Sequence, residues 1–307
     1  MRLIRGLDGP ASASASCALS IGAYDGLHLG HQALLRRLTE RASAAALPAA
    51  LVTFEPLPRE YLKPEDPPAR LTSLRERWRI LERSPLAHLW LLRFGEALRT
   101  LRAESFAQLL AREGGARIVV VGHDFRFGYR GEGDTGLLQA AGRRFGFEVE
   151  VVAPVGVGGE RVSSSLVRAA LARGDFAGAA RYLGRPWSMR ARVMRGERLG
   201  RELGFPTANL PLERRRAPVA GVFAVRVHGV AGAALPAVAS LGTRPTVNGT
   251  RALLEVHVFD FSGDLYGREI EVEFVAKLRE ERRFASLALL TAQMQCDARE
   301  ARAILGC

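Results

Sequence analysis

The chain has 307 residues, 48% of them hydrophobic and 25% charged, and its formal net charge at pH 7 is +12. The length predicts about two domains, the composition indicates a globular protein, and the lack of any run of about 18 apolar residues excludes a membrane-spanning helix. Arginine supplies almost all of the basic charge and is spread along the chain. We therefore expect anionic nucleotides as partners, with no nucleic acid and no membrane surface. Since no apolar signal core follows the amino terminus, we expect a cytoplasmic location.

Four short apolar runs in the first half predict strands, and stretches with the apolar spacing of helices alternate with them. The strands are predicted at residues 17–21, 50–54, 118–121 and 148–155, and the helices at residues 32–38, 70–86, 96–112 and 136–145. This alternation is typical of a doubly wound α/β domain with a parallel sheet, in which ligands bind at the carboxyl ends of the strands.

A glycine-rich turn, residues 22–31, joins the first strand to the first helix. Its glycines, Gly22, Gly26 and Gly30, allow the backbone to approach a ligand without a Cβ atom in the way. His28 and His31 are three residues apart, so they share a face of the opening helical turn. A helix N-terminus favours phosphate, and two imidazoles there could donate hydrogen bonds to an oxyanion as charge develops.

The pattern H-x-G-H in this place resembles the signature of the nucleotidyltransferase superfamily, whose members move a nucleoside monophosphate from a triphosphate. A single histidine here would more often cap or pack the helix, whereas two at this spacing favour the catalytic interpretation. The pattern differs from the zinc motif H-E-x-x-H, which spaces its histidines by four residues and adds a glutamate. A Walker A loop is excluded because neither lysine of the chain follows a glycine.

Three serines, residues 163–165, open a further predicted helix that ends at Arg173. A serine that only caps the helix is the simpler interpretation. Together with the histidine pair, Ser163, Ser164 and Arg168 predict a second phosphate site, because hydroxyl and free N–H groups lie one turn before an arginine. Nucleotidyl transfer needs charge neutralised on both the attacked phosphorus and the leaving pyrophosphate.

The composition changes after a predicted helix at residues 174–183, which Gly184, Arg185 and Pro186 end. Short β-rich runs separated by turn residues follow, and they predict a small closed β-barrel. The runs are residues 189–194, 222–227, 237–241, 253–259 and 269–274, and residues 287–305 form a closing helix. We therefore predict two domains, residues 1–185 and residues 186–307.

A glycine-rich segment, residues 196–209, lies early in the second half. A hairpin connection would explain its glycines, but Thr207 and Asn209 flank one small residue and place two neutral oxygens on one side of an extended chain. Such oxygens suit Mg²⁺ carried by a nucleotide. Further along, Glu255 shares a strand face with Leu253 and His257, and spacing alone favours a solvent-exposed glutamate there.

Together these motifs resemble the prokaryotic bifunctional riboflavin kinase/FMN adenylyltransferase family, also called FAD synthetase. The resemblance covers residues 22–31, 53–58, 122–128 and 163–168 in the first half, and residues 196–209, 242–246, 253–259 and 278–284 in the second. The chain departs from the family pattern at Tyr24, Leu57 and Ser165, where members usually carry phenylalanine, histidine and threonine, and at Arg195, where many carry histidine. The implied fold is a Rossmann-like nucleotidyltransferase domain followed by a riboflavin kinase-like barrel with a C-terminal helix.

The resemblance implies two successive reactions. The second domain would phosphorylate the 5′-hydroxyl of riboflavin with ATP to give FMN. The first domain would adenylylate FMN with a second ATP, giving FAD and pyrophosphate. ATP, riboflavin, FMN and FAD would then be substrates or products, and Mg²⁺ the cofactor.

The resemblance also implies a role for each candidate residue. The catalytic residues would be His28, His31, Arg168 and Glu255, the last as the base for the riboflavin hydroxyl. ATP would contact Gly22, Tyr24, Asp25, Gly30, Ser163, Ser164, Gly196, Gly200 and Arg201. The flavin would contact Phe54, Asp124, Phe125, Phe127, Phe205 and Arg279. The metal would bind to Thr207 and Asn209.

Two other classes of function stay open at this stage. The chain could be a catalytically impaired sensor that binds flavin or nucleotide, although the intact histidine pair and Glu255 argue against it. It could also be an RNA-related nucleotidyl-transfer or aminoacylation enzyme, since H-x-G-H occurs there as well. The second set of motifs and the absence of a lysine-bearing second signature argue against that class.

Overall fold

The structure, a computed structural model, describes residues 1–7, 9–12, 16–196, 203–214, 216–246 and 249–307, and it describes only the backbone where these ranges cross residues 243–251. The chain folds into two compact units. The first comprises Met1–Pro68 and Arg77–Ser163, and the second comprises Ala69–Glu76 and Ser164–Cys307. This division lies earlier in the chain than the boundary that we predicted at residue 185.

A six-stranded parallel sheet forms the centre of the first unit. Its strands are β1 (Arg2–Arg5), β2 (Cys17–Ile21), β3 (Ala49–Glu55), β4 (His88–Arg93), β5 (Ala116–Gly122) and β6 (Glu148–Val152). They lie in the order β1-β4-β3-β2-β5-β6, and every neighbouring pair is parallel. From β2 the chain adds β3 and β4 on one side and β5 and β6 on the other. The topological switch point, where such sheets bind ligands, is therefore at the carboxyl end of β2.

Helices cover both faces of this sheet, which confirms the doubly wound α/β fold. They are α1 (Leu29–Ala44), α2 (Pro58–Leu62), α3 (Leu74–Leu81), α4 (Glu96–Arg99), α5 (Ala103–Arg112) and α6 (Thr135–Phe145), and a short hairpin of β7 (Gly156–Val157) and β8 (Glu160–Arg161) follows β6. Alternate β2 residues enter different cores, because Leu19 packs in the cluster that contains Phe106 of α5, whereas Ala18 packs in the cluster that contains Leu38 of α1.

Two of the predicted helices are wrong in extent. The helix predicted at residues 70–86 is confined to α3, and the helix predicted at residues 96–112 is interrupted between α4 and α5. Strands β1 and β4 were not predicted. Residues 88–92 of β4 are all buried, so the strand has no polar alternation that periodicity could detect.

The second unit contains the predicted antiparallel barrel, which is nearly closed, and the predicted helix after it. It also contains two helices before the barrel, which we predicted as part of the first domain. Its elements are α7 (Ser164–Ala172), α8 (Phe176–Leu183), β9 (Ser188–Arg192), β10 (Ala208–Pro211), β11 (Gly221–His228), β12 (Leu235–Thr246), β13 (Gly249–Val258), β14 (Glu269–Arg279) and α9 (Leu287–Leu305). The strand order is β10-β13-β12-β11-β14-β9. A bridge between Met194 and Asn209 joins the two ends of that order. Strand β10 was not predicted, and α9 has the predicted bounds.

An aromatic cluster explains why α7 and α8 belong to the second unit. Phe176, the first residue of α8, lies 6.3 Å from Trp187 and 5.8 Å from both Phe223 and Phe274, measured between ring centroids. Trp187 and Phe274 are themselves 4.8 Å apart. Burying these large rings together contributes more than their burial alone, so α8 packs as part of the barrel core.

Within the ranges given above, no helix combines the length and the apolarity that crossing a bilayer requires.

Candidate active sites

The H-x-G-H turn leaves β2 at the switch point and is densely packed. Tyr24 and Leu27 have φ values of 49° and 48°, in the left-handed region that non-glycine residues rarely adopt. Both side chains are about 1% exposed, so burial holds the backbone in this conformation. Asp25, between them in the chain, is also buried.

Tyr24 carries a hydroxyl that phenylalanine would lack, and the structure gives that group a partner. The hydroxyl lies 2.6 Å from Ser20 Oγ, which donates its own proton to the Val120 carbonyl at 2.7 Å. The Tyr24 hydroxyl is therefore the donor to Ser20. Burial raises the pKa of Tyr24 far above its usual range, so the phenol stays protonated. Ser20 on β2 thus supplies the acceptor for the hydroxyl by which Tyr24 departs from the family pattern.

Two glycines of the turn make room for rings. A Cβ atom at Gly22 would lie 3.0 Å from the Tyr24 ring, and one at Gly30 would lie 3.2 Å from the His28 ring and 3.7 Å from the Val162 carbonyl. Tyr24 and His28 therefore occupy the space that these glycines leave. The contacts of Gly22 and Gly30 with ATP stay a prediction.

The two histidines are stacked, and one of them begins α1. Their ring centroids are 3.7 Å apart with an interplanar angle of 18°. His28 is the N-cap residue, and its Nδ1 accepts a hydrogen bond from the His31 backbone N–H at 3.3 Å. A ring nitrogen that accepts carries no proton, so the tautomer compatible with this bond has its proton on Nε2.

The Nδ1 atom of His31 is placed so that it could bind a ligand. Its Nδ1 is buried and makes no hydrogen bond to any residue that the structure describes. Burial, with smaller contributions from His28 and the Arg77 guanidinium, holds the pKa of His31 well below its usual range. The ring is therefore neutral near pH 7 and can offer one donor to an anion without a positive charge.

Sequence reasoning missed Arg77, which holds the turn from α3. Its Nη1 donates to the Ala23 carbonyl at 3.0 Å and to Thr53 Oγ1 at 3.1 Å, and its Nη2 pairs with Glu55 Oε2 at 2.8 Å. Thr53 Oγ1 in turn donates to the Ala23 carbonyl at 3.3 Å. An arginine in an amphipathic helix is usually solvated, so the sequence pattern carries no signal for this contact.

The predicted flavin residues of the first unit follow the strands beside β2. Phe54 lies near the end of β3, and Phe125 and Phe127 follow β5 with their rings stacked at 5.4 Å. Asp124 pairs with Arg161 of β8. Partial burial acts to raise the pKa of Asp124, but the Arg161 guanidinium outweighs it and the pKa is lowered. Their contact with flavin stays a prediction.

The serine segment begins in the first unit and continues in the second. Ser163 is the last residue of the first unit and follows Val162, whose carbonyl is close to Gly30. Ser164 begins α7 in the second unit, and there Arg168 Nε donates to the Ala69 carbonyl at 2.6 Å. The predicted phosphate contacts of Ser163, Ser164 and Arg168 stay predictions.

Two further departures from the family pattern, Leu57 and Ser165, occupy different environments. Leu57 is buried at the N-cap of α2, where its backbone N–H donates to Glu60 Oε2 at 3.1 Å. Glu60 thus satisfies the backbone there, while the leucine side chain packs in the interior. Ser165 is exposed in the first turn of α7.

In the second unit, strand register aligns the candidate kinase residues. Asn209 of β10 lies directly opposite Glu255 of β13, and Glu255 lies directly opposite Ser240 of β12. Directly opposed residues have Cβ atoms about 4.5–5.5 Å apart, so the predicted base and metal ligand are neighbours. Thr207 immediately precedes β10, two residues before Asn209.

Asn209 is buried, and its amide is oriented by its neighbours. Its Nδ2 donates to the Thr207 carbonyl at 3.4 Å, which leaves Oδ1 as the amide atom for a cation. A Cβ atom at Gly196 would lie 2.5 Å from the amide, so Gly196 makes room for Asn209. The contact of Gly196 with ATP stays a prediction, and the predicted ATP residues Gly200 and Arg201 lie outside the described residues.

A cavity of about 450 Å³ is lined in part by His257, which lies two residues after Glu255 on β13. Phe205, His257 and Phe259 line it together with residues of α9, namely Gln295, Ala298, Arg299 and Arg302. His257 Nδ1 lies 2.9 Å from the Pro206 carbonyl, which ties the strand of Glu255 to the residue before Thr207. A concave site lined by aromatic rings suits a flat heteroaromatic ligand.

Two further polar residues of the second unit, Arg279 and Glu281, make different hydrogen bonds. Arg279, predicted to contact flavin, forms a bidentate pair with Asp297 of α9, with Nη2 2.7 Å from Oδ2 and Nε 2.9 Å from Oδ1. Its flavin contact stays a prediction. Glu281, which sequence reasoning missed, accepts a hydrogen bond from Ser240 Oγ at 3.4 Å. Burial and then the charge of Glu255 raise the pKa of Glu281, which indicates a second carboxylate near Glu255.

Two family models match the chain, FAD synthetase over residues 11–166 and riboflavin kinase over residues 183–305. The bifunctional riboflavin kinase/FMN adenylyltransferase of Escherichia coli strain K12 is 45% identical over 308 residues, which cover 100% of this chain and 98% of that protein. The protein of the same name from Pseudomonas fluorescens is also 45% identical, covering 99% of this chain and 98% of its own. A solved structure described as a macrolide-efflux protein from Streptococcus pneumoniae is 31% identical, with a TM-score of 0.79, and the match covers 98% of this chain and 99% of that one.

The buried hydrogen bond of Tyr24 is tested by removing one partner at a time. Ser20→Ala leaves the buried phenol without its acceptor, so we expect a loss of about 1–3 kcal/mol in the free energy of unfolding. Tyr24→Phe leaves Ser20 bonded to the Val120 carbonyl and should cost about 0.5–1.5 kcal/mol. Chemical denaturation followed by tryptophan fluorescence measures both. A larger loss in Tyr24→Phe than in Ser20→Ala would contradict this arrangement.

The lowered pKa of His31 predicts a pH dependence of stability. Below the ordinary histidine pKa of 6.5, the unfolded chain takes up a proton at residue 31 that the folded chain refuses. The contribution of His31 to the free energy of unfolding is therefore fully present above about pH 6.5. It decreases as the pH drops, by at most about 1.4 kcal/mol per pH unit for one group. His31→Gln should reduce this slope in unfolding experiments between pH 7 and 5. Burial also lowers the pKa of His88, but its contribution is common to both proteins and cancels. An unchanged slope would contradict the assignment.

Proposed function

Because this chain belongs to the bifunctional riboflavin kinase/FMN adenylyltransferase family, we propose that its barrel phosphorylates riboflavin and its parallel-sheet domain adenylylates FMN. The chain is thus a riboflavin kinase and an FMN adenylyltransferase, and ATP is the donor in both reactions. The domain boundary that we propose is between residues 185 and 186, which lies beyond the matched FAD synthetase segment and close to the start of the riboflavin kinase segment.

In the kinase reaction, Glu255 accepts the proton of the riboflavin 5′-hydroxyl as the oxygen attacks the γ-phosphorus of ATP and the bond from that phosphorus to the leaving ADP breaks. The observation that supports this role is the register that sets Glu255 opposite Asn209. The cavity lined by Phe205 and His257 accepts the isoalloxazine ring in this proposal, since His257 is two residues from Glu255 on β13. Phosphoryl transfer then depends mainly on position and on neutralised charge.

The donor set of this site fits Mg²⁺ bound to ATP. Thr207 supplies a hydroxyl oxygen and Asn209 supplies Oδ1, two neutral oxygens of the kind that hard cations prefer. Gly196 keeps the space beside the Asn209 amide free of a Cβ atom. When bound, Mg²⁺ neutralises charge on the phosphates. Thr207 and Asn209 would hold the ion.

In the adenylyl transfer, an FMN phosphate oxygen attacks the α-phosphorus of ATP, and the bond to the pyrophosphate breaks. His28 and His31 donate hydrogen bonds to the phosphate oxygens on which charge develops. The observation that supports this role is the buried Nδ1 of His31, which makes no hydrogen bond to any described residue. Both rings are preorganised by stacking, so little reorganisation is needed. Ser163, Ser164 and Arg168 receive the leaving pyrophosphate.

The remaining contacts position the substrates of the first domain. Phe54, Phe125 and Phe127 offer aromatic surfaces to the flavin, and Asp124 offers an acceptor to its polar edge. Gly22, Tyr24, Asp25 and Gly30 form the backbone wall that receives ATP. No residue needs to form a covalent intermediate, since each nucleophile belongs to a substrate.

Glu255→Gln tests the kinase assignment. The amide cannot accept a proton, so we expect riboflavin phosphorylation to slow by about 10²–10⁴-fold. FAD formation from supplied FMN should keep its rate. Glu280→Gln is the matched control, because that carboxylate pairs with Lys277 Nζ at 2.6 Å on the exposed surface. Kinase turnover at the wild-type rate in Glu255→Gln would remove Glu255 from this role.

His28→Ala combined with His31→Ala tests the adenylyltransferase assignment. Without the two donors, FAD formation should fall below detection while FMN accumulates from riboflavin. Chromatography of the reaction mixture follows both flavins at once. The kinase activity of this double variant and the adenylyltransferase activity of Glu255→Gln show that each variant is folded. FAD formation at the wild-type rate would show that the H-x-G-H turn has another role.

A further inference from the structure

The Arg77 guanidinium is an unusual group to bury beside a candidate anion site. Its side chain is 1% exposed, and it donates to the Ala23 carbonyl and Thr53 while it pairs with Glu55. Glu55 is 31% exposed, so the positive partner of the pair is in the interior and the negative partner is near solvent. Burying a charge is costly unless it is paired and hydrogen-bonded, and here both terminal nitrogens of the guanidinium have partners.

The contacts of Arg77 lead directly to the histidine pair. Ala23 precedes Tyr24, whose left-handed backbone conformation depends on the direction of the peptide between them. The Tyr24 ring packs on His31, with 4.8 Å between the ring centroids. The charge of Arg77 also contributes to the low pKa of His31, beside burial and His28. The groups that face His31 are thus Tyr24 from the turn, His28 from the N-cap of α1 and Arg77 from α3.

We propose that Arg77 is a positioning residue for adenylyl transfer, which sets the Ala23 peptide and, through Tyr24, the place of the His31 ring. The inference rests on the proposed role of the H-x-G-H turn in forming FAD. Arg77 touches neither substrate nor reacting atoms in this account. Its effect is on the geometry of the turn.

The test compares Arg77→Met with Arg77→Lys in the full-length enzyme. A misplaced catalytic ring costs up to about 10²-fold, so Arg77→Met should lower the kcat of FAD formation from FMN by about 10- to 100-fold. Riboflavin phosphorylation, measured on the same preparation, should keep its rate. Arg77→Lys keeps a charge with three donors and should recover most of the loss. Arg79→Met is the matched control, because Arg79 is on the same helix with a 49% exposed side chain.

A second readout does not depend on activity. NMR titration of the imidazole of His31 should show its pKa higher in Arg77→Met than in the wild type, since a nearby positive charge is gone. The titration in Arg77→Lys and Arg79→Met should match the wild type. A residue that only stabilised the fold would lower the melting temperature and slow both reactions alike.

Thr53→Val provides the test should Arg77→Met fail to fold. Valine keeps the shape of threonine but removes the hydroxyl that accepts from Arg77 and donates to the Ala23 carbonyl. The guanidinium keeps its direct bond to that carbonyl and its pair with Glu55. We expect FAD formation to slow by about 3- to 10-fold with the kinase rate intact. Wild-type FAD formation in Thr53→Val, or in a folded Arg77→Met, overturns the proposal.

The double histidine variant separates the two possible failures. If that variant is inactive while Arg77→Met forms FAD at the wild-type rate, only the role of Arg77 is wrong. If the double variant still forms FAD, the proposed function of the turn is wrong. The NMR titration in that case still reports whether Arg77 acts on His31.

Discussion

The close packing of the turn at residues 22–31 is the constraint on which the first unit depends. Two left-handed residues, a buried tyrosine and two stacked imidazoles share a volume in which a Cβ atom at Gly22 or Gly30 would make a tight contact with a ring. The turn can exist because β2 is central in the sheet, so that β3, β5 and α3 surround it. Because protein interiors are close-packed, a shift of one ring displaces the rings in contact with it. The low pKa of His31 is a consequence of the same density.

A different constraint organises the second unit. There the hydrogen-bond register of antiparallel strands, rather than side-chain packing, sets Asn209 against Glu255 and Glu255 against Ser240. Register is strongly determined where one face of a sheet is buried, because a one-residue slip would expose the core residues. Leu254 and Val256 are both buried on the opposite face of β13. The hydrophobic pattern that folds the barrel therefore also aligns its candidate chemical groups.

The sequence predicted those features whose signal is local. The turn at residues 22–31, the bounds of α9 and the shared face of Glu255 and His257 follow from motif and alternation within a few residues. Strand β4 gave no alternation because both of its faces are buried, and α4 is separated from α5 by a break that the apolar spacing does not mark. The contacts of Arg77 with Thr53 and Ala23 and of Glu281 with Ser240 join residues 24 to 54 positions apart in the chain. Such pairings depend on topology and register, which single-sequence patterns do not encode.

The most direct test of the account is a time course of wild-type protein with riboflavin, ATP and Mg²⁺, resolved by chromatography. Two sites acting in succession predict that FMN appears first and then declines as FAD and pyrophosphate accumulate. Riboflavin that binds to the folded protein yet yields neither FMN nor FAD would contradict the account and would favour a flavin sensor.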